Sequence, residues 1–156
     1  MENSVTPCQK FVDLLVGVEA LHLPKGEYAV AGSGPLAIRN IREAHDVDLI
    51  VKRDVWEELA RCRTVTGRKK NCIIIGPVEI WKDWMVFTDL IDEMIDNSEE
   101  IRGFPFTKLS YVVAWKRWMG REKDLNDIEA IERWVNYPSL KGGACSWLQG
   151  PLPLAR

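Results

Sequence analysis

Asp46 and Asp48 are the first residues that ask for a chemical explanation. They stand one residue apart in Asp46-Val47-Asp48-Leu49-Ile50-Val51, which reads as a strand. Side chains alternate with a period of two in a strand, so both carboxylates are expected on one face. Neighbouring acids in an apolar run repel each other and lose solvation unless a cation lies between them. Hard oxygen donors of this kind suit Mg²⁺, commonly held by one or two carboxylates together with substrate phosphates. The pair is therefore expected to bind a divalent metal, with a solvated or capping role as the plainer alternative.

Glu79 is a third acid of interest, set among Val78, Ile80 and Trp81. A buried, unpaired carboxylate is costly. Either it faces solvent on an edge strand, or it completes a three-carboxylate metal site. Beside the aspartate pair the second is favoured, because a third carboxylate can ligate the metal and accept the proton of an attacking hydroxyl. Gly32-Ser33-Gly34, ahead of Pro35, offers backbone N–H groups at the start of a helix, a phosphate-binding element. The alternative is a glycine turn made for geometry alone. The same residues, with Ala37, spell the dinucleotide fingerprint. In that motif one acid closes the second strand to bind a ribose, whereas here two acids in phase open it. The lysine of a P-loop is missing as well.

The elements that must position these residues follow from periodicity. Pro7 to about Leu23 is expected to be an amphipathic helix capped by Thr6, with Phe11, Leu14, Leu15, Val18 and Leu21 on its apolar stripe. Tyr28–Ala31 and Asp46–Lys52 read as strands flanking the glycine turn and a short helix. A helix is expected from Asp54 or Arg53 to Cys62, with Val55, Leu59 and Cys62 as its stripe. A basic loop (Arg68, Lys69, Lys70) leads to a strand at Asn71–Ile75, a bend or bulge at Gly76-Pro77, and a continuation at Val78–Trp81. Phe87–Asn97 is helical in spacing, and Ile101–Phe106 reads as a last short strand and turn ended by Pro105.

Thr107–Met119 and Asp124 to about Val135 read as a C-terminal pair of helices broken at Gly120-Arg121. Lys116 shares the stripe of Leu109, Val112 and Val113, so it either snorkels or projects into a cleft to meet phosphate as a point charge. Asp124 is expected to cap the second helix, with Leu125, Ile128, Ile131 and Val135 buried. Arg39, Arg42, Arg121 and Lys123 are weaker anion contacts. Residues 1–136 are read as one domain and 137–156, rich in Pro and Gly, as an irregular tail.

Composition excludes several classes. The chain has 156 residues, 46% of them hydrophobic and 28% charged, which suits one folded domain with a real core. A formal net charge of −2 announces no global affinity for nucleic acid. Cys8, Cys62, Cys72 and Cys145 form no CxxC, and two histidines argue against zinc. No apolar run approaches a membrane span and no charged-then-apolar leader is seen, so a cytoplasmic location without membrane partners is expected. Trp56, Trp81, Trp84, Trp115, Trp118 and Trp134 are assigned mainly to packing.

Gly-Ser, a helix, the Asp46-Val47-Asp48 strand and a third acid on a later strand together resemble the DNA polymerase β-like nucleotidyltransferase superfamily. Leu109-Ser110 through Lys116 to Gly120-Arg121-Glu122-Lys123-Asp124-Leu125-Asn126-Asp127-Ile128 is similar to the Lys-then-Arg-x-Lys-Asp-x-x-Asp segment of its minimal, AbiEii-toxin-like branch. The resemblance implies an α/β (α+β) fold, a small mixed sheet flanked by helices with the C-terminal helical pair and an active site at the sheet edge. Gly32 and Ser33 would hold the triphosphate, and Asp46, Asp48 and Glu79 two Mg²⁺ (or Mn²⁺) ions with NTP bound. Lys116, Lys123 and Asp124 would bind or position the nucleotide. The implied reaction moves an NMP from an NTP to an acceptor hydroxyl of RNA such as tRNA, of a protein or of a small molecule, releasing pyrophosphate. A partner protein, as in a toxin–antitoxin pair, is suggested by the same analogy. The alternative is a catalytically idle NTP-binding or interaction protein on the same fold.

Overall fold

The computed structural model describes residues 5–137. It opens with helix α1 (Pro7–Glu19), where Thr6 Oγ1 accepts the Gln9 N–H and Pro7 needs no donor partner. Strand β1 (Tyr28–Ala31) leads through the glycine turn to a one-turn helix α2 (Gly34–Ile38), and β2 (Val47–Val51) feeds α3 (Arg53–Cys62). The hairpin β3 (Cys72–Ile75) and β4 (Val78–Trp81) follows, then a 3₁₀ segment at Met85–Leu90 and α4 (Ile91–Asp96). A second hairpin, β5 (Glu99–Ile101) and β6 (Phe104–Phe106), precedes the helices α5 (Leu109–Met119) and α6 (Glu122–Asn136).

The strands form one mixed sheet in the order β3-β4-β2-β1-β6-β5. The β1–β2, β3–β4 and β5–β6 pairs are antiparallel, while β2–β4 and β1–β6 are parallel. Helices cover both faces, so the period-two alternation buries residues on either side. Val30, Val47, Leu49, Val51, Ile73, Val78 and Ile80 pack with Phe11, Leu15 and Val18 of α1 and Val55 and Trp56 of α3. On the opposite face Ala29, Ala31 and Ile50 meet Trp84, Ile91, Met94, Ile95 and Trp115. Leu36 joins α5 and α6 through Leu109, Val112, Val113, Ile128, Ile131 and Trp134. The mixed α/β architecture, with a six-stranded sheet between helices, is thus in place.

Several local expectations are corrected. Gly76-Pro77 does not merely bend a strand but reverses it, because Ile75 pairs with Val78 and Cys72 with Trp81 across an antiparallel hairpin. The segment read as a last short strand and turn at 101–106 is the inner part of another hairpin, turned at Arg102-Gly103, and Pro105 lies within β6 rather than ending the strand. Its missing N–H is tolerated because Phe106 and the Thr107 N–H carry the link to β1. The helix expected at 87–97 begins as 3₁₀ at Met85. Leu125 is exposed, as is Cys62, while Trp56 takes the buried place on α3. The tail expected to be irregular lies outside the described residues beyond Tyr137.

Among the described residues no helix is long and apolar enough to cross a membrane. Phe11 is fully buried and packs on Phe106 at 6.2 Å between ring centroids, clasping α1 to the central sheet. Phe11→Ala should cost about 3–5 kcal/mol, as large core truncations do. Val16→Ala, on the solvent side of the same helix, should change stability by less than about 0.5 kcal/mol. Urea unfolding of both variants measures the difference.

Candidate functional site

Parallel pairing of β2 with β4 sets Asp48 directly opposite Glu79. Both lie on the Ile50 and Trp81 side of the sheet, and both are half-buried. Facing each other, the two carboxyls favour the protonated form of Asp48. Burial first, then the facing Glu79 carboxyl, and then the charges of Asp46 and Glu79 push the Asp48 carboxyl up to about 7. One interaction works the other way: the indole Nε1–H of Trp81 donates to Asp48 Oδ1 at 3.1 Å. The same field reaches the neighbouring strand, where burial and the charges of Glu79 and Asp48 raise the Cys72 thiol to about 11. That thiol is therefore unreactive at neutral pH.

The glycine turn abuts this pair. Ala31 is the cross-strand partner of Asp48, and Gly32 follows it with φ +64°. A Cβ on Gly32 would fall 2.5 Å from Asp48 Oδ2. Glycine here serves both the left-handed turn and the approach of the backbone to the carboxylate. Ser33, half-buried, comes next at the start of α2, and its side chain makes no capping bond.

Asp46 stands apart from this arrangement: it precedes the first residue of β2 and is exposed. The strand begins at Val47, whose N–H donates to Pro77 O at 2.8 Å, so the in-phase aspartate pair of the sequence becomes one strand carboxylate and one at its mouth. Among the described residues no three His, Cys, Asp or Glu side chains are gathered in an arrangement ready for a metal ion. The donor set that is present, the opposed Asp48 and Glu79 carboxyls, has the oxygen chemistry that a hard divalent cation takes.

Lys116 is on the buried stripe, as its spacing indicated, with its side chain 2% exposed. Its Nζ donates to Asp127 Oδ2 at 2.7 Å and lies 3.9 Å from Asp124 Oδ1. Asp127 also accepts from Arg42 Nη1 at 2.6 Å, and Asp124 accepts from the Arg121 backbone N–H and from its Nε at 2.6 Å. Asp124 is the third residue of α6 rather than its cap, which is Arg121. Burial alone would raise the Asp124 carboxyl, but the bonds and charge of Arg121, with the charge of Lys116, hold it below its ordinary value. Lys123, beside it, is exposed. Arg39 is an internal residue, donating to Pro35 O and Glu99; burial lowers its guanidinium to about 10 despite that partner.

The residues that sequence reasoning left to packing form the wall of the site. A cavity of about 250 Å³ is lined by Asp48, Asn71, Glu79, Trp81, Asp83, Trp84, Met85 and Trp115. Trp81 could have been found, since it lies two residues beyond Glu79 and shares its face. Trp84, Met85 and Trp115 arrive from the 3₁₀ segment and α5, and no local pattern links them to the carboxylates. Comparison with protein-family models, with curated proteins and with solved structures finds no match to this chain.

Folded Asp48 keeps its proton to about pH 7, against 3.8 ordinarily. The stability that the neutral acid contributes is therefore fully present below about pH 4 and is lost as pH rises through 7. Asp48→Asn should leave the melting temperature nearly unchanged at pH 4 and raise it by about 3–6 °C at pH 8. Calorimetric melts of the two proteins across that range check it. For the internal lysine the direction is opposite. Lys116→Met leaves Asp124 and Asp127 buried with one cation fewer and should destabilise by about 3–5 kcal/mol. Adding Asp127→Asn should recover part of the loss in denaturant melts.

Proposed function

We propose that this chain is a metal-dependent nucleotidyltransferase of the polymerase β-like fold, moving an NMP from an NTP to an acceptor hydroxyl. The observation that carries the reading is the Asp48–Glu79 pair, opposed on adjacent parallel strands beside the turn at Gly32. Structural packing alone gives no gain for two half-buried acids set opposite each other, one with its carboxyl pushed up to about 7. A site for a dication and a polyphosphate gives a reason for both.

Asp48 and Glu79 would hold Mg²⁺ or Mn²⁺, with Asp46 at the strand mouth available to the same charge. When bound, such an ion supplies electrostatic stabilisation to the phosphate oxygens on which negative charge develops. The backbone of Gly32 and Ser33 lies where a triphosphate would meet that pair, and exposed Lys123 offers a cation at the start of α6. In the in-line exchange the acceptor O–H loses its proton as its oxygen bonds the α-phosphorus, and the bond to pyrophosphate breaks. Glu79, the carboxylate without an indole donor, is the group to take the proton. Lys116 and Asp124 act at one remove, by fixing α5 against α6 and so the indole of Trp115 that walls the cavity.

A second reading, an idle NTP-binding or interaction protein on the same frame, draws on the position of Asp46, exposed ahead of β2 rather than facing Asp48 on the strand. The two differ in transfer. Wild-type protein incubated with α-labelled NTPs, Mg²⁺ or Mn²⁺, and protein, RNA or small-molecule acceptors should label one of them. The Asp48→Asn/Glu79→Gln variant should lose about 100-fold or more of that rate while its melting temperature does not fall. A metal-dependent thermal shift with NTP, but no label with any acceptor, would favour the idle reading.

A further inference from the structure

The lining of the cavity beside the carboxylate pair has a composition of its own. Among the described residues it contributes three carboxylates, three indoles, one amide and one thioether, and no Lys or Arg. Without a bound cation, these side chains do not favour phosphate in this space. The indoles are also oriented by internal bonds. Trp81 Nε1 donates to Asp48, and Trp115 Nε1 donates to Met85 Sδ at 3.4 Å. What half-buried Trp81 offers a ligand is therefore its π face, not its N–H group, while Trp115 is already packed against Trp84 and Lys116. Met85 is held over the cavity at φ +51°, a conformation that L residues rarely adopt, and it remains 42% exposed.

The ring geometry distinguishes a flat occupant from a round one. Trp81 and Trp84 meet at 72° with centroids 6.4 Å apart, forming a corner. Trp84 and Trp115 are 5.0 Å apart and tilted by 40°, in direct contact, so no base can slide between them. A corner of aromatic faces closed by carboxylates is the arrangement that attracts an organic cation, whose charge meets the ring quadrupoles and whose alkyl groups meet their surface. Trp115 already serves a cation in this way, with Lys116 Nζ 5.1 Å from its centroid. At about 250 Å³ the space lies below the range of about 300–1,000 Å³ typical of sites for drug-sized ligands, and suits a head group.

We infer that this cavity binds an alkylammonium group, and that the acceptor of the transfer is a small molecule carrying one. The second half rests on the nucleotidyltransferase reading; the cation site itself does not. Asp83, half-buried on the rim and outside the proposed metal ligands, supplies the counter-charge, with Trp81 and Trp84 as the corner.

Choline and its uncharged isostere, in which carbon replaces the quaternary nitrogen, are the probes, titrated into the full chain while tryptophan fluorescence is followed. Choline should give a saturable change, and the isostere should bind about tenfold more weakly or worse. Asp83→Asn should weaken choline about threefold to tenfold, and Trp81→Leu should do the same or more, while Trp81→Phe keeps binding within about twofold. Equal binding of choline and the isostere, or no saturable change in wild type, would overturn the cation site. Mg²⁺ at saturating concentration should leave choline bound; displacement would mean that the organic cation occupies the metal's position and would overturn the acceptor assignment. Choline binding that persists in a protein without any transfer activity would remove the transferase reading and leave the cation site standing.

Discussion

The parallel register of β2 against β4 is the constraint on which the rest of the site depends. It aligns Val47 with Val78, Asp48 with Glu79, Leu49 with Ile80 and Ile50 with Trp81. Because side chains alternate along both strands, that alignment sends Val47, Leu49, Val78 and Ile80 together into the core beneath α1 and α3. It brings Asp48 and Glu79 out together on the other face. A slip of one residue would bury both acids and expose the hydrophobic set. The cost of burying that pair against α1 thus protects the register as firmly as the apolar packing does.

Charge is handled in two different ways in this molecule. At the α5–α6 junction Lys116, Arg42 and Arg121 meet Asp124 and Asp127 at hydrogen-bond distances, so the buried charges are matched. At the sheet, Asp48 and Glu79 face each other with no basic side chain in the cavity lining among the described residues, and the Asp48 carboxyl is pushed up to about 7. Matched buried ions hold elements in place, whereas an acidic pair without such a partner has its charged form disfavoured. The two regions are joined through one helix, since Lys116 anchors α5 and the adjacent Trp115 walls the cavity. The internal ion network is in this sense the support of the aromatic wall.

Much of this was legible in the chain. Tyr28–Ala31 is a strand because four residues of high apolar character stand between a Pro-Gly break and a glycine turn, and the structure has it with those bounds. The stripe of Leu109, Val112, Val113 and Lys116 marked the lysine as inward-facing, and it is. Chain reversal at Gly76-Pro77 and at Arg102-Gly103 was not legible, because a short apolar run does not say whether its two halves continue or fold back. Asp46 was placed one residue too far into β2, since strand ends are set by the partner: Val47 is the first residue with a carbonyl across from it, at Pro77.

Local pattern by itself determined the elements, the inward-facing faces, the glycine turn and the acids of interest, because periodicity and turn chemistry act within a few residues. Only the tertiary structure decided which acids meet. The pairing of Asp48 with Glu79 spans two strands separated by a helix and a hairpin strand, and it follows from strand order in the sheet. It also decided that Lys116 is satisfied by Asp127 on the next helix, and that Trp81, Trp84, Met85 and Trp115 close around the carboxylates. Those contacts join residues from a strand, a 3₁₀ segment and α5. Their meeting depends on how the helices settle on the sheet, a cooperative outcome of packing that no local window of sequence encodes.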